Sequence, residues 1–247
     1  MGIVYVLIAL FLGSVGSVAL AGMMLLLKSD KLERVSTLLM YLAGGTLLGA
    51  AFLGMIPKAV SMAEPSIIFM VILLGILFFF LLEKMILWRS CRNKDCERHI
   101  HAAAPIILIG DAFHNAIDGV VIAASFVSST ELGIFVTLSV ILHEIPQELG
   151  DFGILIKSGY SRCKAFWFNA MSGVTAIVFG VAAFYTLDTI RSMIPYVLAF
   201  SASSFLYLAM ADLIPEMHRK TTRKDSLSQI LLIVTGILII YLSLLLK

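Results

Sequence analysis

The sequence predicts an all-α integral membrane protein: a single transmembrane domain over residues 1–247, with eight helices arranged as three, a central pair and three more, the outer triplets related as an inverted repeat. Three observations lead there. Apolar residues make up 60% of the chain and charged ones 14%, with a mean hydropathy of +1.00, a balance foreign to soluble domains. The apolar positions fall into eight runs, each near the roughly 20 residues that a bilayer-crossing helix needs. Part of the second run is echoed in the seventh.

In chain order the runs cover about 3–27, 35–57, 67–87, 105–127, 132–156, 165–187, 194–214 and 227–246. The first lacks a basic segment ahead of it and is too long for the apolar part of a cleavable leader, so it reads as a true span. The loops after helices 1, 3, 5 and 7 hold all of the 18 Lys and Arg residues except Lys58, Arg191 and Lys247. Positive loops are retained in the cytoplasm, which places both termini on the other side. The net charge of +2 is mostly this bias, so the expected partner is a lipid bilayer, with the cell membrane as the location, and no nucleic acid. Cys91, Cys96 and Cys163 fall on the cytoplasmic side, where reducing conditions argue against disulfides.

The loops are too short to hide a separate soluble domain. The longest polar stretch, WRSCRNKDCERHIHAAAP at 88–105, could gather a metal ion through Cys91, Cys96, His99 and His101. Their spacing matches no closed zinc module, and the stretch also reads as a solvated basic loop.

The echo between helices 2 and 7 sets AGGTLLGAAFLGMIPK (43–58) over SASSFLYLAMADLIPE (201–216): small residues first, Ile-Pro at the end. The two helices cross in opposite directions, so the relation is an inverted repeat, an architecture common in transporters. Asp212 and Glu216 in helix 7 then stand opposite Gly54 and Lys58 in helix 2.

Ionisable groups inside a membrane span are costly and are functional candidates by default. Helix 4 carries Asp111, His114, Asn115 and Asp118 at i, i+3, i+4 and i+7, one stripe along roughly 10 Å of helix. Helix 5 carries His143 and Gln147 four apart, Glu144 and Glu148 four apart, and Asp151 a turn further on. Both sets fall near mid-membrane and can face each other. Imidazoles, amide oxygens and carboxylates at one depth suit a divalent transition metal, whose charge offsets the burial of anions. Pro146 deprives helix 5 of one backbone N–H and so loosens the carbonyl of Leu142, and Gly119, Gly150 and Gly153 are expected to keep the packing thin. His114, Asp118, His143 and Glu144 are the leading metal ligands, with Asn115, Gln147 and Glu148 next. Asp111, Asp151, Asp212 and Glu216 lie toward the cytoplasm as an exit path for a cation.

GDAFHNAIDGVVIAASF and HEIPQELGDFGIL resemble the fourth- and fifth-helix signatures of the ZIP (Zrt/Irt-like protein) family of divalent metal transporters, and LAFSASSFLYLAMADLIPE resembles its seventh helix. The resemblance covers essentially the whole chain. It implies a ZIP-like bundle that carries zinc, or alternatively iron, manganese or cadmium, into the cytoplasm as substrate rather than cofactor, commonly as a homodimer. On matching positions it implies His114, Asn115 and Asp118 as helix 4 ligands and His143, Glu144 and Gln147 as helix 5 ligands, with Glu148 and Asp151 close by. Two departures stand out. Position 147 is a neutral Gln where the family often has His or Glu, and Gly54 and Lys58 replace a His and a Glu often found around the helix 2 Ile-Pro.

Two other function classes fit parts of the pattern. HEIPQ begins like the protease motif H-E-x-x-H but lacks its second His, so no enzyme is expected. A membrane metal sensor that binds without transport shares the ligands, but the acids leading inward favour transport.

Overall fold

The computed structural model describes residues 3–90, 100–219 and 222–245, all in helices or short connections, with no strand among them. There are eight membrane-length helical segments: α1 (Ile3–Met24), α2 (Ser29–Val60), α3 (Pro65–Ser90), α4 (Ile100–Ser128), α5 (Thr130–Lys157), α6 (Arg162–Thr189), α7 (Arg191–His218) and α8 (Arg223–Leu245). Each sits where an apolar run predicts it. The largest shift is in α2, which starts six residues early because Ser29–Arg34, though charged, continues the helix beyond the apolar stretch. Among the described residues, seven of the segments are long and apolar enough to cross a bilayer, and α4 carries the polar stripe. Cys91, Cys96 and His99 lie outside the described residues, as does the side chain of His101.

The repeat is visible in the backbone. In α2 the hydrogen-bond ladder widens into a π-turn at Ala50–Met55, and in α7 it does so at Leu208–Leu213, positions 158 residues apart and matched one for one. The amide of Ile56 reaches back five residues to Ala51, and that of Ile214 reaches back five to Ala209. The cause is the next residue, Pro57 or Pro215, which lacks an N–H and collides with the carbonyl four residues back, and the extra residue in the turn relieves both. Pro146 opens no π-turn: α5 runs through it, and the proline simply leaves the Leu142 carbonyl without its usual amide donor.

Helix pairing follows the same symmetry. α2 packs on α8 as α7 packs on α3, and α2 packs on α5 as α7 packs on α4. The closest approaches repeat in register: a Cβ on Gly45 would come within 2.2 Å of the Ile233 carbonyl, and one on Gly75 within 2.0 Å of Ser203 Oγ. Ser203 and Ile233 are the residues 158 beyond Gly45 and Gly75. Small residues let backbones meet where lipid supplies no hydrophobic drive to associate.

The central pair is a tight hairpin. Only Ser129 separates α4 from α5, and its hydroxyl accepts from the Leu132 amide at 3.2 Å to start the second helix. His114 lies 15 residues before this turn and Glu144 15 after it, so the two share a depth about 22 Å from the turn. α4 is anchored to α6 at Gly119, where a Cβ would stand 2.0 Å from the Ala176 carbonyl. Around Gly150 and Gly153 the packing is thin: an added Cβ would meet nothing within 4 Å.

Candidate metal centre

On the Ser129 side of mid-membrane, the bundle is filled by a continuous apolar core that includes Met55, Phe126, Leu132, Val136, Val140 and Phe205, all buried. On the opposite side, toward Arg219, a cavity of about 600 Å³ opens between α2, α3, α4, α5 and α7. Its inner end is lined by His114, His143 and Gln147, its outer part by Glu83, Tyr207, Asp212 and Glu216.

Where the core meets the cavity, four side chains converge. His114 Nε2, Asp118 Oδ2, His143 Nε2 and Glu144 Oε1 each offer one donor atom, all within 4.8 Å of one another. The two imidazole nitrogens are 3.4 Å apart, and His114 Nε2 is 3.5 Å from Glu144 Oε1. His143 Nε2 is 3.0 Å from Asp118 Oδ2 and 3.8 Å from Glu144 Oε1, and His114 Nε2 is 3.8 Å from Asp118 Oδ2. Metal–ligand bonds of about 2.0–2.2 Å in a tetrahedron put donors about 3.3–3.5 Å apart. The observed spacings bracket that edge.

Local bonding aims these groups. His143 Nδ1 donates to the Ser139 carbonyl at 2.9 Å, which assigns the proton to Nδ1 and leaves the Nε2 lone pair facing the carboxylates. Ser139 is itself tied to α2 through its hydroxyl and the Thr46 carbonyl. The His143 ring stands edge-on to Phe205, which closes the core side. Asp118 and Glu144 are almost completely buried, and none of their four oxygens has a hydrogen-bond donor. Two buried carboxylates and the His143 Nε2 lone pair repel one another unless positive charge lies between them.

The remaining expected residues separate. Gln147 lines the cavity next to the cluster. Asn115 turns its amide to Asp111, donating to Oδ1 at 3.0 Å. Asp111 and Glu148 are buried on the α6 side, and neither they nor half-buried Asp151 lines the cavity, whereas Asp212 and Glu216 do. Two cavity residues went unnoticed in the sequence. Glu83 closes the apolar run of α3, where an acid reads as interfacial, and Tyr207, from α7, donates its hydroxyl to it. A lone acid at the end of an otherwise apolar span is the signal that could have found this pair.

A family model described as ZIP Zinc transporter matches residues 89–244. Zinc transporter ZIP13 of Pongo abelii is 29% identical over 220 residues, covering 83% of this chain and 65% of that protein. Zinc transporter zipt-7.2 of Caenorhabditis elegans is 38% identical over 152 residues (59% of this chain, 32% of that protein), and zinc transporter foi of Drosophila melanogaster is 37% identical over 142 residues (56% and 19%). The matches thus span from about a fifth to about two thirds of these relatives' length.

Proposed function

The chain belongs to the ZIP zinc transporter family, and from that premise we propose that it carries a divalent transition metal, zinc first, across a membrane through the His114–Asp118–His143–Glu144 cluster. The observation that carries this reading is the cluster's position, buried against an apolar seal on one side and reached by a cavity on the other. An ion held there has a way out in one direction only, the condition of a carrier with one gate open. Four protein donors also leave no open coordination position for the activated water that a metallohydrolase needs.

The direction we infer is toward the cytoplasm. The cavity opens at the end of the bundle where the basic residues gather, and Asp212, Glu216 and Glu83 offer successive oxygen ligands along the way. Both termini then lie on the non-cytoplasmic side, the cell membrane is the expected location, and a homodimer is the expected assembly. Accessibility labelling of single cysteines introduced at Ser61 and Thr222, exposed positions on opposite ends of the bundle, checks the orientation.

The deciding experiment is uptake of radioactive zinc into sealed proteoliposomes. Saturable accumulation that is lost in His143→Ala supports the proposal. Stoichiometric binding without accumulation would instead make the protein a metal sensor.

A further inference from the structure

Behind the helix that carries His143 and Glu144, an apolar groove of about 490 Å³ runs between the end of α1, the start of α6 and Phe152 of α5. Phe152 follows His143 by nine residues, two and a half turns, so it leaves α5 on the side opposite the cluster. The groove exists because α1 presents Ala19 and Gly22 where it passes the Phe152 and Phe166 rings. A Cβ on Gly22 would stand 3.4 Å from Phe166 and 3.8 Å from Phe152, in ordinary contact with the walls, so any longer side chain there would occupy the slot. Phe152 is buried among Val18, Ile145 and Leu155 and makes a firm floor, whereas the rim residues Met23 and Leu26 are exposed. From Leu26 to Ala19 the slot reaches about 10 Å into the membrane.

Its mouth is basic. Arg162 lines it, and among the described residues neither Arg162 nor Lys164 takes part in an ion pair. The stretch 157–164 carries Lys157, Arg162 and Lys164 and no acid, and the connection after α1 sets Lys28, Lys31 and Arg34 against Asp30 and Glu33. Just over one turn further along α6, Trp167 is exposed, its ring edge-on to Phe166 with 5.8 Å between centroids. Exposed tryptophan at the end of a span marks headgroup level.

We propose that this groove binds one anionic phospholipid from the leaflet at the basic end of the bundle, with its phosphate on Arg162 and Lys164 and one acyl chain laid over Phe152 and Phe166. A hydrocarbon slot that is open to lipid along its rim and ends at unpaired cations matches an amphiphile with one negative end. A helix with its side chains is about 10–12 Å across and does not enter a slot that a single Cβ nearly spans. A soluble anion would leave the apolar walls uncovered. The bound lipid completes the packing behind α5, which the protein leaves open at Gly22.

Quenching by brominated lipid tests this with the full chain in vesicles. Trp88→Phe leaves Trp167 as the one tryptophan. Phosphatidylglycerol brominated in its acyl chains is titrated into phosphatidylcholine, and the labelling is then reversed. Trp167 should favour phosphatidylglycerol by at least about tenfold; Arg162→Gln should cut that preference about fivefold and Arg162→Gln/Lys164→Gln abolish it, while Arg162→Lys keeps it. Gly22→Leu fills the slot without changing charge and should abolish the preference too. Helical circular dichroism and the melting midpoint verify folding, and Ala19→Leu carries this arm if Gly22→Leu does not fold. Equal quenching by the two lipids overturns the proposal. So does a preference that survives the slot-filling variants, which would mean a diffuse basic surface. Quenching by neither lipid also overturns it, and would place a second copy of the chain or another of its segments over the groove.

Discussion

His143 Nε2 stands 3.0 Å from Asp118 Oδ2, and with the His143 proton committed to Ser139, both atoms bring lone pairs to the contact. Such a pair is stable in a dry interior only with a cation or a proton between the two atoms. Replacing His143 by Ala therefore removes one of four donors, and zinc affinity, measured by isothermal titration in detergent, should fall at least about 100-fold, beyond the 10–100-fold typical of an outer-shell change. Helix content should hold, because the ring's neighbours are the other three cluster side chains, the Ser139 carbonyl and Phe205, and the α5 backbone does not depend on them. Unchanged affinity would remove α5 from the site.

Ser139 offers a milder test of the same relationship. Replacing it by Pro would delete the hydroxyl bond to Thr46 and distort the helix, whereas Ser139→Ala keeps the carbonyl that fixes the His143 tautomer and loses only the hydroxyl's bonds to the Thr46 and Phe135 carbonyls. Ser139→Ala should therefore lower zinc affinity by less than about tenfold, within the outer-shell range. A loss as large as that of His143→Ala would mean that the tie to α2, and not the carbonyl, positions the ring.

Gln147→His places a third imidazole at the inner end of the cavity, beside the cluster. A borderline nitrogen donor favours zinc over harder ions, so competition uptake should shift toward zinc over manganese by about tenfold. A flat selectivity profile would mean that position 147 does not reach the ion.

Glu83→Gln combined with Asp212→Asn removes two anions from the cavity wall while leaving the cluster intact. Zinc affinity at equilibrium should stay within about twofold of wild type, and the maximal uptake rate should fall severalfold as release slows. Equal losses in affinity and rate would show that these acids shape the binding site rather than the way out.

Gly119→Leu forces a side chain into the Ala176 carbonyl, where even a Cβ would stand 2.0 Å away. Overpacking of this kind costs about 1–3 kcal/mol, and because Asp118 is the adjacent residue, the separation of α4 from α6 should lower both the melting midpoint and zinc affinity. Gly150→Ala, which meets nothing within 4 Å, should leave the midpoint unchanged.

The helices were legible because each is an apolar run of bilayer length, and the repeat because Ile-Pro recurs at matched places in α2 and α7. The common depth of His114 and Glu144 followed from the one-residue turn at Ser129. What the spacing could not resolve was azimuth. At about 100° per residue the α4 stripe is about 100° wide, with His114 and Asp118 on one edge and Asp111 and Asn115 on the other. Glu148 lies about 140° around α5 from His143. With α6 and the cavity on different sides of the hairpin, that angle decides which neighbour each group meets, so the residues read as one site do not all meet at the cluster.

Among the described residues, the apolar fill between Met55, Phe126, Leu132 and Phe205 closes the Ser129 side of the cluster. For the proposed carrier, flux then proceeds only by discrete structural cycles. It should plateau with concentration, show steep dependence on temperature and on bilayer fluidity, and produce no unitary current in a voltage-clamped membrane, so that protons and sodium do not leak down their gradients while the cavity stands open.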